Sequence, residues 1–319
     1  MLFRLLAIPN LRVFVNAPLA RYNRFEIGGP ARALLDAADE TALAQAWRTL
    51  RDYGWPHQVI GGGTNLIVDD AGFPGAVLRY TENSIRFEGT TVEAGAGAVL
   101  QDLVDATIDR GLRGLETMTG IPGWVGGAVY GNAGAYGHSI EERVARVRFF
   151  DGESVREFGR VQCRFAYRDS AFKHCKNWII LSVTLQMEAA DPAALRSLAN
   201  GILKIRNEKY PPSMRCAGSI FKNLLLAELP ESARARIPAQ VIREGKVPAA
   251  FFLEQVGAKG RSNGAIRVAD YHANLIYNSG GGSARELKNL IFELKARVRE
   301  QFGLELEEEV QYIPAAPQR

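Results

Sequence analysis

Two glycine-rich segments offer chemistry that backbone alone can perform. One is Gly61-Gly62-Gly63-Thr64-Asn65; the other runs from Gly120 to Gly137 and reads GIPGWVGGAVYGNAGAYG. Glycine has no Cβ, so its N–H can approach a ligand closely and its φ can be positive. Both segments follow extended stretches, and the second interleaves Ile121, Trp124, Val125, Val129, Tyr130 and Tyr136 among its glycines. A flexible linker lacks such residues. The pattern points to folded loops whose N–H groups together hold a large anion such as a dinucleotide pyrophosphate, as anion nests do. A buried chain reversal without a ligand is the alternative for either loop taken alone.

Three other clusters carry polar chemistry. Arg168 lies in Cys163-Arg164-Phe165-Ala166-Tyr167-Arg168-Asp169-Ser170, where the bland reading is a solvated arginine at a strand end. Ser219 lies in Gly218-Ser219-Ile220-Phe221-Lys222-Asn223 as nucleophile, proton donor or neither. The stretch lacks a GxSxG elbow and a matching Asp/His order, which disfavours hydrolysis. Near the end, period-two alternation sets Glu305, Glu307 and Glu309 opposite Leu304, Leu306 and Val310, without saying which glutamate, if any, is catalytic.

Other chemistries find little support. Cys163, Cys175 and Cys216 form no CxxC pair, and His57, His138, His174 and His272 form no HxxxH, so no metal site is expected. Three unpaired cysteines suit a reducing compartment. Gly95-Ala96-Gly97 imitates the start of a Rossmann fingerprint, but Leu100 stands at its third glycine position. No GxxxxGK[ST] P-loop occurs.

The elements that must position these residues are legible from periodicity. ARALLDA from Ala31 reads as a strand. TALAQAWRTLRDYG follows as a helix with Leu43, Trp47 and Leu50 on one face and Gly54 as its stop. TTVEAGAGAV leads into a helix with Leu100, Leu103, Val104 and Ile108 on one face. VARVRFF, ESVREF and NWIILSVTLQM read as three strands, and Asp191-Pro192 opens a helix. Prolines become frequent from about residue 205, which suggests a domain boundary there. Ser283-Ala284-Arg285-Glu286 has capping-box spacing and opens a helix that Gly303 stops. LELEEEVQYI reads as a final strand. Strands and helices in both halves indicate a mixed α/β or α+β fold.

The chain has 319 residues, 47% of them hydrophobic and 23% charged, enough for two or three domains with packed cores. A net charge of +4, with no Lys/Arg run long enough to suggest a nucleic-acid arm, suits a small anionic ligand at least as well as nucleic acid. Arg4, Pro9 and Arg12 break the apolar N-terminus, so neither a signal peptide nor membrane insertion is expected, and a cytoplasmic protein is.

Taken in order, RYNRFEIGGPA, VIGGGTNLIV, GIPGWVGGAVYGNAGAYG, CRFAYRDSAFK, AGSIFKN, FFLEQVGAKG, YHANLIYN and FGLELEEEV resemble one family over nearly the whole chain. It is that of the UDP-N-acetylenolpyruvoylglucosamine reductases, flavoenzymes of peptidoglycan synthesis. The resemblance implies a two-part FAD-binding domain of the vanillyl-alcohol-oxidase (PCMH) type at 1–80 and 81–204. A smaller C-terminal α/β substrate domain would occupy 205–319, its terminal strand carrying Glu309 to the active site. It implies non-covalent FAD, NADPH as reductant and a UDP-sugar as the small-molecule substrate, with a monomer as the default.

By the same resemblance, Gly61, Gly62, Gly63, Thr64, Asn65, Gly120, Ile121, Pro122, Gly123, Gly126 and Gly127 line the FAD pyrophosphate, with Asn132, Gly134, Ala135 and Tyr136 nearby. Arg168 would hold the substrate carboxylate, Ser219 would protonate carbon, and Glu309 would assist polarisation as a protonated acid whose pKa is raised. Tyr167, Asn223 and Gln255 would contact substrate, and Lys209 and Arg206 its diphosphate. About 50 residues separate Arg168 from Ser219, as in the short form of the family, which lacks a tyrosine-bearing loop insertion. The chain departs from the family at Arg24, at Trp124 and in Gly260-Arg261-Ser262-Asn263-Gly264-Ala265-Ile266. An FAD oxidase or dehydrogenase of the same fold, acting on a sugar or alcohol, is the alternative; it would not need the Arg168, Ser219 and Glu309 set.

Overall fold

The computed structural model describes residues 2–315. Its first layer is a four-stranded sheet in the order Leu11–Pro18, Pro30–Ala37, Phe73–Tyr80, His57–Val59. The first pair is antiparallel and the other two are parallel. Helix Glu40–Asp52 covers this sheet, as its Leu43, Trp47 and Leu50 spacing requires, and Asp39 caps it by accepting from the Ala42 N–H at 2.7 Å.

The second layer is a five-stranded antiparallel sheet, ordered Val155–Gly159, Val144–Phe150, Ile179–Gln186, Thr91–Gly95, Ile85–Glu88. All three strands expected between residues 142 and 188 are in it. Helices Leu100–Asp109 and Val125–Tyr130 contribute to one core with both sheets. Gly95-Ala96-Gly97 makes the turn from strand Thr91–Gly95 toward helix Leu100–Asp109. A Cβ on Gly95 or Gly97 would collide with the Thr81-Glu82 backbone, so these glycines serve chain packing.

Helix Pro192–Lys209 begins where Asp191 accepts from the N–H groups of Ala193 and Ala194. The compositional change at residue 205 falls inside this helix. Its sequence stays helix-forming to Lys209, and Pro211-Pro212 then prevent continuation.

Beyond it, a three-stranded sheet of Ser262–Asn263, Ile266–Ala269 and His272–Asn278 packs with helices Ala249–Gln255 and Ala284–Phe302 around a separate core. Ser283 and Glu286 form the expected capping box, and Gly303 closes the helix at φ 68°. Phe25, Ile27 and Ile67 from the N-terminal region enter this C-terminal core, so the two parts share apolar surface.

The last segment corrects the expectation of one continuous strand. Regular pairing is limited to Gln311–Ile313, parallel to Leu66–Val68. Just upstream the chain serves a different partner: the Lys222 N–H donates to Glu307 O at 2.9 Å and the Glu309 N–H to Ile220 O at 2.8 Å. Leu304, Leu306 and Val310 are buried as the alternation predicts and Glu308 on the same face is half-buried, but Glu309 on the opposite face is half-buried as well. Switching partners between 309 and 311 breaks the period.

Candidate active site

A cavity of about 880 Å³ opens where the two sheets and the C-terminal part meet. Its lining includes Gly61, Gly62, Gly63, Thr64 and Asn65 from the loop between strands His57–Val59 and Leu66–Val68. None of these five backbone N–H groups has a protein acceptor among the described residues. Such a run of free donors is what an anion needs. Gly63 has φ 72°, and a Cβ there would stand 1.8 Å from Tyr22 O.

Gly120, Ile121, Pro122, Gly123, Gly126, Gly127 and Gly134 line the cavity from the second glycine segment. A Cβ on Gly127 would meet nothing within 4 Å, leaving an open cradle at the start of the short helix. The loop is tied down on its far side, where the Gly120 N–H donates to Gln101 Oε1 at 2.6 Å and Thr64 Oγ1 donates to Pro122 O at 3.2 Å. The last bond joins the two glycine segments.

Trp124 also lines the cavity. Its ring lies 5.2 Å from the guanidinium carbon of Arg79, whose other neighbour is the Tyr22 ring at 4.8 Å. Arg79 donates through Nε and Nη2 to buried Asp36 at 2.7 Å each. This braced stack sets Trp124 beside the Cα of Gly62, where a Cβ would come within 3.1 Å of Cδ1. Thus the bulky residue shelters the first glycine loop.

Charge favours an anionic occupant. Arg24, Arg168, Lys173, Lys176, Arg196 and Arg206 line the cavity, against Asp105 and Glu309. Asp105 is already paired with Arg196. Burial pushes the Arg206 guanidinium below its ordinary pKa, and its Nε has no partner, although Nη2 reaches Gly120 O at 3.4 Å. Asn65 Oδ1 is likewise buried and unpaired, while Asn65 Nδ2 donates to Glu309 O at 3.0 Å. Orphaned buried polar atoms are costly unless a ligand satisfies them. The free N–H run, the open cradle and these orphans fit a dinucleotide such as FAD.

Arg168, Ser219 and Glu309 all face this cavity. Arg168 sits in a reversal where Ala166 and Asp169 exchange backbone hydrogen bonds at 3.1 Å, and its φ is 55°. Asn132 holds that turn by donating from Nδ2 to Ala166 O at 2.9 Å. Arg168 Nη2 donates to Gly134 O at 3.0 Å. Its Nε lies 2.9 Å from Glu309 Oε1, but its N–H is not aligned on any acceptor, so this is a charge contact more than a hydrogen bond. Ser219 is fixed by the backbone: the Ile220 N–H donates to Asn274 O at 3.1 Å, and Asn274 exchanges side-chain bonds with Phe221. Because Glu309 binds Ile220 through its N–H, the serine and the glutamate arrive on neighbouring segments.

The remaining expected residues do not line the cavity. Asn132 is buried in its bracing role. Ala135 pairs with His138, and Tyr136, at φ 54°, is 48% exposed. The Tyr167 hydroxyl accepts from the Asn223 N–H at 3.2 Å, and Asn223 Oδ1 accepts from Ala249 N–H at 3.4 Å, linking the Arg168 loop to the Ser219 segment. Lys209 is exposed with Nζ 5.1 Å from the Tyr210 ring, and Gln255 is exposed at its helix end.

Sequence reasoning missed Tyr210, whose hydroxyl is 3.1 Å from Ser219 Oγ, and also Gln101, Lys173 and Lys176. Lys173 stands inside the CRFAYRDSAFK segment, five residues after Arg168, and could have been singled out there; no spacing pattern links Tyr210, Gln101 or Lys176 to the motifs. The departure at Gly260–Ile266 falls in a hairpin whose Asn263 Nδ2 donates to Glu286 O, outside the cavity lining. Arg24 lines the cavity and donates to Pro212 O at 3.2 Å. Among the described residues no group of His, Cys, Asp or Glu suits a metal ion, and no helix is long and apolar enough to cross a membrane.

Comparison with known proteins agrees with this geometry. Residues 31–156 match the family described as FAD binding domain, and residues 210–313 match UDP-N-acetylenolpyruvoylglucosamine reductase, C-terminal domain. The chain is 61% identical to the UDP-N-acetylenolpyruvoylglucosamine reductase of Solibacter usitatus, over 97% of this chain and 99% of that one. It is 32% identical to that of Bacillus subtilis, over 95% and 94% of the two chains. The crystal structure of the Thermus caldophilus reductase superposes with a TM-score of 0.75 at 26% identity, covering 95% of this chain and 99% of that one. With its two-part FAD-binding domain and its C-terminal domain both matched, the chain belongs to the UDP-N-acetylenolpyruvoylglucosamine reductase family.

Proposed function

We propose that the two glycine segments hold the FAD diphosphate and that the substrate's enolpyruvyl group lies beside Arg168, Ser219 and Glu309. The reaction is the reduction of UDP-N-acetylglucosamine-enolpyruvate to UDP-N-acetylmuramate in peptidoglycan precursor synthesis, with NADPH as reductant. A flavin oxidase of the same fold acting on a sugar or alcohol is not favoured. The observation that carries the reading is the convergence of Arg168, Ser219 and Glu309, from three separated segments, on one cavity with the glycine loops.

When bound, FAD supplies the hydride that adds to the terminal carbon of the enolpyruvyl group. Negative charge then builds on the substrate carboxylate, where the planar fork of Arg168 offers fixed donors. Its Nε, which lacks an aligned acceptor, is available for this task. A substrate carboxylate arriving at Arg168 competes with Glu309 for the guanidinium, and the displaced glutamate stays beside the reacting group to assist its polarisation. Ser219 gives its hydroxyl proton to the carbon beside the ether oxygen. Arg206 and Arg24 face the same cavity as partners for phosphate.

The division into 1–80, 81–204 and 205–319 is supported by the two separate sheets and the distinct C-terminal core, with Lys209 as the structural end of the linking helix. Three free cysteines support a reducing, cytoplasmic setting.

The test is an anaerobic titration. NADPH should bleach the flavin absorbance of the purified protein, and the enolpyruvyl UDP-sugar should restore it. Protein that fails to bind added FAD, or reduced protein that the sugar nucleotide leaves bleached, would overturn the reading.

A further inference from the structure

Tyr210 caps the C-terminal end of helix Pro192–Lys209, its N–H donating to Arg206 O at 2.6 Å, and Pro211 follows it directly. This rigid setting aims its hydroxyl at Ser219 Oγ, 3.1 Å away, and both residues line the cavity. The Ser219 segment is held just as firmly through Asn274 and the pairing of Ser219 with Leu275.

The surroundings of the ring are cationic. Arg206 has its guanidinium carbon 5.8 Å from the ring centroid, and Lys209 has its Nζ at 5.1 Å. The His272 ring lies at 6.2 Å and is neutral near pH 7, because burial and then the charge of Lys209 push its pKa down to about 4. The Arg206 and Lys209 charges thus both lie against the Tyr210 ring, on the same side chain whose hydroxyl meets Ser219.

Serine is a weak acid, and an alkoxide left in a cavity is a poor product of proton transfer. We propose that Tyr210 is the positioning residue through which Ser219 acts, relaying a proton to the serine oxygen as the serine protonates the substrate. This rests on the reading of Ser219 as the donor to carbon. In the step, a C–H bond forms at the carbon beside the ether oxygen and the Ser219 O–H bond breaks. The Tyr210 O–H proton passes to Ser219 Oγ, and the electron pair remains as phenolate facing Arg206 and Lys209. Water then returns a proton to the phenolate.

The experiment uses the FAD-loaded full chain in stopped flow, with Tyr210→Phe, Ser219→Ala and the double variant. Tyr210→Phe should keep the rate of flavin reduction by NADPH within about twofold and slow reoxidation by the enolpyruvyl UDP-sugar by roughly tenfold to a hundredfold. In mixtures of H2O and D2O, the wild-type reoxidation rate should fall along a curve, because two protons move together. In Tyr210→Phe it should fall along a straight line. The double variant should be no slower than Ser219→Ala, since both residues act in one step. A hydroxyl that only supports packing would leave the curve unchanged and add its effect to that of Ser219→Ala, which would overturn the proposal. Slow Ser219→Ala beside fast Tyr210→Phe would remove the relay alone. Fast Ser219→Ala would remove the donor assignment itself and the relay with it.

Discussion

Arg168 Nε stands 2.9 Å from Glu309 Oε1, and this contact joins the FAD-binding part of the chain to its last segment. Arg168 is held at φ 55° by a two-residue reversal that Asn132 braces, so its guanidinium direction is set by backbone. Glu309 is held by the N–H it gives Ile220 and by the carbonyl it offers Asn65 Nδ2. The pair keeps two charged groups in register before any substrate arrives.

Arg168→Lys should therefore separate the two half-reactions. Lysine keeps the charge but loses the planar fork and the second donor that reaches Gly134. Reoxidation by the enolpyruvyl UDP-sugar should fall by about 10²- to 10³-fold, while bleaching by NADPH persists. Glu309→Gln should fall by about tenfold or more in the same step. Stopped-flow traces of each half-reaction decide it; equal loss in both would place Arg168 in cofactor binding instead.

Gly63 tests the anion cradle. Its φ of 72° and the 1.8 Å approach of a would-be Cβ to Tyr22 O leave no room for alanine without moving backbone. Moving it disturbs the run of free N–H groups from Gly61 to Asn65. Gly63→Ala should purify with little or no flavin and bind added FAD far more weakly, by about tenfold or more. Gly127→Ala, whose Cβ meets no protein atom, is the comparison: it should fold normally and lose FAD affinity only if the ligand fills that space. Visible absorbance and FAD titration read both.

Much of this arrangement is legible in the sequence because local rules act there. The capping box at Ser283 and Glu286, Gly303 as a stop, and the Asp191-Pro192 helix start are set by nearest neighbours, and each is found where expected. The two glycine segments are legible because close backbone approach excludes side chains. The end of the chain is not. Glu309 is half-buried where the alternation predicts an outward side chain, because residues 307–309 bond to 220–222 while 311–313 bond to 66–68, a choice made by distant segments. Tyr210 is hidden for another reason: its partner Ser219 lies in the same C-terminal part, and their approach is set by the path of residues 211–218 and by the hold of Asn274 on the Ser219 segment, not by a spacing rule. That Arg168, Ser219 and Glu309 act together was accessible only through resemblance to a family, because an arginine, a serine and a glutamate on separate segments carry no spacing signal.

Asp70 supplies a cap from outside the helix it caps. Its two carboxylate oxygens accept from the N–H groups of Ala284 at 2.7 Å and Arg285 at 2.9 Å, at the start of helix Ala284–Phe302. Beside it, Asp69 binds Lys288 Nζ at 2.7 Å. The N-terminal part thus holds the C-terminal helix by its positive end. Asp70→Ala should cost about 1 kcal/mol, with the melting temperature falling by a few degrees. Both half-reactions should continue near wild-type rates in the cold. A variant that melts like the wild type would mean that Ser283 caps the helix sufficiently alone.

His272 gives the protein an acid limit. Burial and then the charge of Lys209 hold its pKa down at about 4, against 6.5 for an ordinary histidine. Its Nδ1 accepts from the Asn274 N–H at 3.1 Å, a bond available only to the neutral ring. Asn274 also holds the Ser219 segment, so protonation strikes beside the site. In the unfolded chain the ring takes up a proton below about pH 6.5, while in the native state it resists until about pH 4. The unfolded state therefore binds more protons in that window, and native stability falls as pH drops through it. The cost is roughly 1–3 kcal/mol at pH 4, reduced from the full shift because the ring is only partly buried. His272→Gln removes the titration and should flatten the change in melting temperature between pH 6.5 and pH 4 relative to wild type. Parallel melting curves across that range would show that other groups set the acid limit.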